Sequence, residues 1–517
     1  MLHLSQNDHL ALKQHGLSIS QVEAQFQQLR QGIHPLHLAR PCSVGDGIIQ
    51  LSPQHVAEYH RQFQNAHAAG RVSKFIPASG AATRMFKDLL QFLEKERSSH
   101  TMKLKDLPPP ETLIQAWEQL YHFPFIEVLR HYFEAAGIDF SNLYHTKQMS
   151  QVFQALLHTP GLGYANFPKA LLPFHQYPEG VRTSLEEHVR EALLYVHKDS
   201  AQIRIHLTVS AQFEKPVKAT LETIQRQEAR GGIDWELTVS IQKSSTDTIA
   251  LDSNDQLFRN KEDMLVFRPG GHGALLENLN DYQGDIVFIS NIDNVVPDHL
   301  KGQIVEWRMS LAGGLLELQY EIFHRLTLLT PKSISAPVVH EAEQYIREHL
   351  QHDFPPSYES LSISDKAESL KHFLNRPLRV CGVVPNTGDP GGGPFWVQHA
   401  DGSQSRQIAE QSQVDPESES QQQLFISATH FNPVDMVCGV RDYQGKPFNL
   451  LMFRDPDTSF ISHKSSQGRT LKALEWPGLW NGGMANWMTF FVEIPRATFN
   501  PVKTFLDWLH PNHQPPV

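Results

Sequence analysis

The sequence predicts an α/β fold with a mainly parallel central sheet and helices on both faces. Three observations carry this. Short apolar runs, Ile203 to Val209, Trp235 to Ile241, Met264 to Phe267 and Ile286 to Ile289, alternate with stretches of helical periodicity, the pattern of strands joined by crossover helices. The run Ile286 to Ile289 is apolar at every position, as in a parallel strand buried on both faces. Val72 to Pro77 reads as a strand that breaks into Ala78-Ser79-Gly80-Ala81-Ala82-Thr83-Arg84 and enters the helical pattern Met85, Leu89, Leu90, Phe92, Leu93.

In chain order, residues 1–65 read as a cap of short amphipathic helices. One opens at Ser52-Pro53, an N-cap followed by an N1 proline. Residues 66–320 form the core, with a helical insertion at about 95–160 opened by the break Pro108-Pro109-Pro110. Within the core, Leu185, Val189, Leu193 and Val196 share one helical face. Residues 321–375 are a helical connector. Residues 376–517 are a C-terminal α/β part that completes the same site. Its expected strands are Arg379 to Val384, Leu424 to Ala428, Phe448 to Phe453 and Trp487 to Ile494, with residues 401–423, rich in Gln, Ser, Glu and Asp, as a solvated loop.

Composition narrows the function. A formal net charge of −11 disfavours a general nucleic-acid or anionic-membrane surface. Cys42, Cys381 and Cys438 are too few and too scattered for a disulfide framework or a zinc site, and they read as core residues. The N-terminus lacks the basic start and apolar stretch of a signal peptide, and no apolar run reaches membrane-spanning length, so a cytoplasmic location is expected. Oligomeric state is not legible.

Several stretches carry chemistry, each with a bland alternative. Ser79, Gly80, Thr83 and Arg84 sit in a strand-to-helix turn, where loop amides, the helix N-terminus and a guanidinium suit a polyphosphate; the alternative is a tight turn with a surface arginine. Lys169, in Pro168-Lys169, and Lys503, in Pro501-Val502-Lys503, add two cations, or are solvated loop lysines. Arg268-Pro269-Gly270-Gly271-His272-Gly273 allows close backbone approach to a nucleotide, with Gly270, Gly271 and Gly273 as amide donors and His272 near a phosphate or sugar oxygen; a hairpin turn is the other reading. Asp293 follows the apolar run Ile286 to Ile289, at a strand end where ligands of open α/β sheets sit. It is the candidate Mg²⁺ ligand, waters and phosphate oxygens completing the octahedron, or else a helix N-cap. Asn386 to Trp396 is either a loop closing over a sugar, with Trp396 as stacking face, or a connector. Asn481 and Asn486, beside an aromatic strand, suit sugar hydroxyls, or belong to a turn before a core strand.

Five of these stretches together resemble the sugar-nucleotide pyrophosphorylases, nucleotidyltransferases with a glycosyltransferase-A-like fold. Ser79-Gly80-Ala81-Ala82-Thr83-Arg84 is similar to that group's Gly-Gly-x-Gly-Thr-Arg loop, with alanine at Ala81 and Ala82. Pro168-Lys169-Ala170-Leu171-Leu172-Pro173 is similar to Pro-Lys-Pro-Leu-Leu-Pro, displaced by the insertion. Arg268 to Gly273, Ser290 to Asn294 and Phe499 to Lys503 resemble motifs of the uridylyl branch, and all five keep the group's order. The Gly388 to Trp396 loop and Gly478-Leu479-Trp480-Asn481-Gly482 also resemble an uncharacterised bacterial domain-of-unknown-function family. The first resemblance implies Mg²⁺-dependent transfer of a nucleotidyl group, from UTP by preference, to a sugar 1-phosphate with release of pyrophosphate. It implies Arg84, Lys169 and Lys503 as catalytic cations and Asp293 on the metal; with the charge and hydropathy above, neither nucleic acid nor membrane is expected as partner. Two alternatives stand beside it. One is a glycosyltransferase of the same fold using a sugar nucleotide, with Asp455-Pro456-Asp457 as an Asp-x-Asp pair after an apolar strand. The other is a non-catalytic nucleotide-binding relative, motivated by Ala81 and Ala82.

Overall fold

The computed structural model describes residues 2, 4–80, 82–99, 109–195, 202–228, 233–330, 334–388, 391–466 and 469–516. Ala81, Pro108, Val196, Asp389 and Pro390 therefore lie outside the described residues. The chain divides into two compact units. The first comprises Met1–Phe75, Ser240–Ile289 and Trp307–Arg496, and the second Ile76–Val239, Ser290–Glu306 and Ala497–Val517.

The strands that build the two units' main sheet layers are β1 (Ser43–Val44), β2 (Gly47–Ile49), β3 (Val72–Pro77), β4 (Gln202–Val209), β5 (Asp234–Ile241), β6 (Ile286–Ser290), β7 (Leu378–Pro385), β8 (His430–Gly439) and β9 (Met488–Glu493). In the first unit their order is β1-β2-β9-β7-β8-β6-β3. Strand β6 runs parallel to β3, with Ile286 opposite Val72 and Ile289 opposite Phe75. Strand β9 is parallel to both β7 and β2, and β8 is antiparallel to β7. Every residue of β6 is buried, which is why the run carries no polar alternation. The core around it gathers Phe75, Val287, Ile289, Val383, Met436 and Phe491. Cys42, Cys381 and Cys438 are free and buried there, and burial pushes the Cys381 thiol up to about 11.

In the second unit, the end of β3 is followed in the sheet by β4 and then β5. Helices Lys87–Ser99, Glu111–Glu118, Ile126–Ala135, Phe140–His145 and Met149–Leu157 surround an aromatic core that includes Phe86, Phe123, Phe125, Phe153, Phe174 and Trp508. Ile126, Leu129 and Phe133 show how the sequence builds this layer. Their spacing puts all three on one helical stripe, and all three are buried.

Several expected elements differ. Residues 1–65 are not only helical: Leu38–Pro41 and the short β1 and β2 are strands. Leu424 to Ala428 was expected as a strand, but Glu419–Ile426 is a helix, because Ser418 caps it by accepting the Gln421 N–H. Phe448 to Phe453 contains the 3₁₀ turn Leu450–Phe453, and the run Met264 to Phe267 reaches strand geometry only at Phe267–Arg268. Residues 401–423 include the strand Gln404–Glu410, whose Arg406, Gln407, Ile408 and Ala409 are buried. A polar composition concealed it.

Candidate functional site

The chemistry-bearing segments of the second unit converge through hydrogen bonds. At the exit of β3, Ala78 N–H donates to the Thr208 carbonyl at 2.9 Å, and the Ser210 hydroxyl donates to the Ser79 carbonyl at 2.9 Å. Ala82 is buried, and its N–H donates to the Phe167 carbonyl at 3.1 Å, which fixes the loop beside the Pro168-Lys169 segment. Thr83, Arg84 and Gly80 are exposed. The 3₁₀ turn Lys169–Leu171 then presents the Lys169 ammonium. It donates to Asp293 Oδ2 at 2.6 Å and to the Val502 carbonyl at 2.9 Å.

Asp293 lies just beyond β6. The Val502 N–H donates to the Asp293 carbonyl at 3.0 Å, and the Asn500 N–H to Asn294 Oδ1 at 2.8 Å, so the C-terminal segment is laced to the strand-end turn. The Phe505 N–H donates to the Met85 carbonyl at 3.2 Å, next to Arg84. Two residues that sequence reasoning missed support this turn from behind. The Ser184 hydroxyl donates to the Ile292 carbonyl, and His188 Nε2 to the Asn291 and Ile292 carbonyls at 3.2 and 3.3 Å. Nothing in sequence distinguishes them from polar residues of an amphipathic helix. The Lys169 and Asp293 side chains are 14% and 15% exposed, so the pair is screened far less than a surface pair. Lys503 is exposed, its ammonium 5.4 Å from the Phe499 ring centroid.

Among the described residues, no group of three or more His, Cys, Asp or Glu could hold a metal with protein ligands alone. Asp293 offers a single partly buried carboxylate beside a cation. That donor set fits Mg²⁺ only in its habit of taking one carboxylate, with waters and substrate oxygens for the rest.

The glycine-rich turn belongs to the first unit. It follows Phe267–Arg268, which pairs with Thr248 and Ile249. A Cβ on Gly270 would overlap the Trp476 ring and the Thr246 carbonyl, and one on Gly273 the Pro477 carbonyl. Gly271 has φ +75°. The close approach these glycines permit is thus already made to the chain's own backbone, and packing accounts for their presence. His272 stacks on Trp480, with centroids 4.5 Å apart, and its Nδ1 accepts the Leu479 N–H. Asn481 is buried and donates to Gln413 Oε1 at 3.1 Å. Trp396 is buried, with the Arg40 and Arg406 guanidinium groups 4.9 and 5.5 Å from its ring centroid. Asn486 is exposed, and it lines the same cavity as Trp396. Asp455 and Asp457 follow a 3₁₀ turn rather than the expected strand, and the Asp455 carboxylate accepts the Asp457 N–H at 3.0 Å.

A family model described as Domain of unknown function (DUF4301) matches residues 5–514. The chain belongs to this family. No match to a curated protein was found. Among solved structures, this family member is similar to the uridine diphosphate N-acetylglucosamine pyrophosphorylase from Trypanosoma brucei in complex with inhibitor, at 11% identity and a TM-score of 0.45, covering 98% of this chain and 81% of that one. It is also similar to the UDP-glucose pyrophosphorylase from Leishmania major, at 12% identity and a TM-score of 0.42, covering 98% and 79%. No helix of this DUF4301 chain, among the described residues, is long and apolar enough to cross a membrane.

Proposed function

We propose that the chain is a nucleotidyltransferase that joins a nucleoside triphosphate, UTP by preference, to a sugar 1-phosphate and releases pyrophosphate. The observation that carries this reading is the Lys169 ammonium bound at once to Asp293 and to the Val502 carbonyl. Three of the five sequence motifs meet at that ammonium, and the Ala82–Phe167 bond ties in a fourth.

The chain's own contribution is position and charge. Arg84, exposed at the start of the helical segment, holds the β and γ phosphates with its fork of donors, and Ser79, Gly80 and Thr83 line the loop. Lys169 and Lys503 offset charge at the α-phosphate and the sugar phosphate as the sugar-phosphate oxygen attacks in line and pyrophosphate leaves. When bound, Mg²⁺ supplies charge neutralisation to the phosphates, with Asp293 as its protein ligand. As substrate arrives, Lys169 exchanges part of its bond to Asp293 for phosphate oxygens. On motif resemblance, Gly270, Gly271 and Gly273 are assigned to the base and ribose through their backbones, with His272 near a phosphate or sugar oxygen, and on side-chain chemistry Asn481, Asn486 and Trp396 are assigned to the sugar. Of the last three, exposed Asn486 is the one available for direct contact.

The test is pyrophosphate release by the purified chain from a panel of triphosphates with sugar 1-phosphates, with and without Mg²⁺. Release that needs both substrates and falls away in Lys169→Ala supports the proposal. A melting-point rise with UTP but no pyrophosphate from any pair identifies a non-catalytic nucleotide binder instead, and free nucleoside diphosphate from a sugar nucleotide identifies a glycosyltransferase.

A further inference from the structure

The first unit contains a cavity of about 580 Å³ with an unusual charge inventory. Arg406, on the strand Gln404–Glu410, is 9% exposed, and it lines this cavity. Its guanidinium donates to the Leu350 carbonyl at 3.0 Å and lies 4.5 Å from the Phe490 ring centroid and 5.5 Å from that of Trp396. No carboxylate is among these partners. Arg376, just beyond the helix Ile363–Leu374, lines the same cavity, its guanidinium 4.9 Å from the Phe373 ring centroid, again beside no carboxylate. Burial lowers both arginines below their ordinary range, Arg406 to about 10, which still leaves Arg406 charged at neutral pH.

Among the described residues, Asp401 is the one carboxylate that lines the cavity. It is exposed and committed to its own turn, accepting the Ser403 N–H and hydroxyl at 2.9 and 2.6 Å. His352 is held neutral, lowered to about 4 by burial and by Arg376, and it stacks on Phe373 at 4.2 Å. Hydroxyl groups of Ser403, Ser405 and Thr489 complete the polar wall.

A buried guanidinium without a counter-charge is costly, because desolvation is not offset by an ion pair. Such a group is compensated either by neutral partners, as buried Arg379 is by the Thr489 hydroxyl and the Trp480 carbonyl, or by an anion that arrives from outside. Two guanidinium groups match a dianion better than a monoanion, since phosphate offers three oxygens to fork-shaped donors. We propose that this cavity is a binding site for a small phosphate monoester, with Arg406 and Arg376 as its cationic partners and the aromatic wall receiving the organic part. Trp396 and Asn486, assigned above to the sugar, line this cavity, but none of Arg84, Lys169, Asp293 and Lys503 does, so the phosphate site stands on Arg406 and Arg376 alone.

The test is a thermal-shift and calorimetric titration of the full-length protein with phenyl phosphate, benzoate and benzyl alcohol. The expected result is saturable stabilisation by phenyl phosphate that exceeds that by benzoate, with none by benzyl alcohol. Arg406→Met and Arg376→Gln should each weaken phenyl phosphate at least ~10-fold, about 1.4 kcal/mol, the lower part of the range for charge-assisted hydrogen bonds. Arg406→Met should also keep or raise the ligand-free melting point, because it removes a buried charge. Lys169→Ala should bind phenyl phosphate as the parent does, which separates this site from the proposed reaction. Absence of any phenyl phosphate binding by the parent, benzoate binding as tightly, or a shift retained in both arginine variants would each overturn the assignment. So would an Arg406→Met protein that melts lower yet binds unchanged, since that outcome marks the arginine as purely structural.

Discussion

Lys169 and Asp293 stand 124 positions apart in the chain, and their side chains meet at 2.6 Å. Removing the cation leaves a partly buried carboxylate without its partner. Lys169→Ala is therefore expected to lose about 1–3 kcal/mol of stability, the cost of stranding a buried polar group, together with most turnover. Urea denaturation of the variant beside a pyrophosphate assay checks both halves. A variant as stable and as active as the parent would show the contact to be idle.

Lys503 predicts the opposite balance. Its side chain is exposed, so Lys503→Ala should change stability by no more than about 0.5 kcal/mol. Pyrophosphate release should fall about 100-fold or more, the scale of losing one transition-state donor. Equal rates in parent and variant would remove Lys503 from the reaction.

The glycines separate packing from binding. Gly270→Ala and Gly273→Ala force a methyl group into Trp476 and into the Pro477 carbonyl, and each should destabilise by about 2 kcal/mol or more. Around Gly80 there is open space within 4 Å, so Gly80→Ala should melt with the parent. If that loop holds phosphates, Gly80→Ala raises the KM for the triphosphate while the fold is untouched, which steady-state kinetics would reveal.

Acid should destabilise the protein through its buried histidines. Burial lowers His206 to about 4, and burial with nearby His175 lowers His513 to about 3. The ordinary histidine value is about 6.5, so below that pH the unfolded chain takes up protons that the folded chain refuses. Stability is then complete above about pH 7 and falls as pH drops towards 4, by roughly 1 kcal/mol or more per histidine between pH 7 and pH 5. Glu187 acts in the same direction further down. Burial raises its carboxyl, but the contacts with His175 and Lys301 outweigh that and hold it below its usual range. Urea midpoints across pH should trace this slope, and His206→Gln should flatten part of it.

How far the sequence could be read depended on how local each cause was. The apolar run Ile286 to Ile289 declares its strand because burial on both faces leaves no room for polar residues, and β6 follows it closely. Ser418 and its capped helix were hidden by the apolar residues Leu424 and Phe425, which suit either a strand or a helix face. Motif order grouped Lys169 with Asp293, but the third member of that contact, the Val502 carbonyl, is backbone and carries no side-chain signature. The packing around the glycine turn is equally remote in sequence, since Trp476 and Pro477, some two hundred residues along the chain, supply it. No local pattern announces so remote a partner. Arg406 escaped notice for the same reason, since an arginine in a polar stretch reads as solvated until the fold encloses it.

The two units are each assembled from three separate stretches of chain, threaded alternately. No single cut can release either one whole. A gene shortened before residue 497 would strip Trp508 from the centre of the aromatic layer along with Lys503, so trimming the C-terminal end should yield insoluble product rather than a smaller working piece.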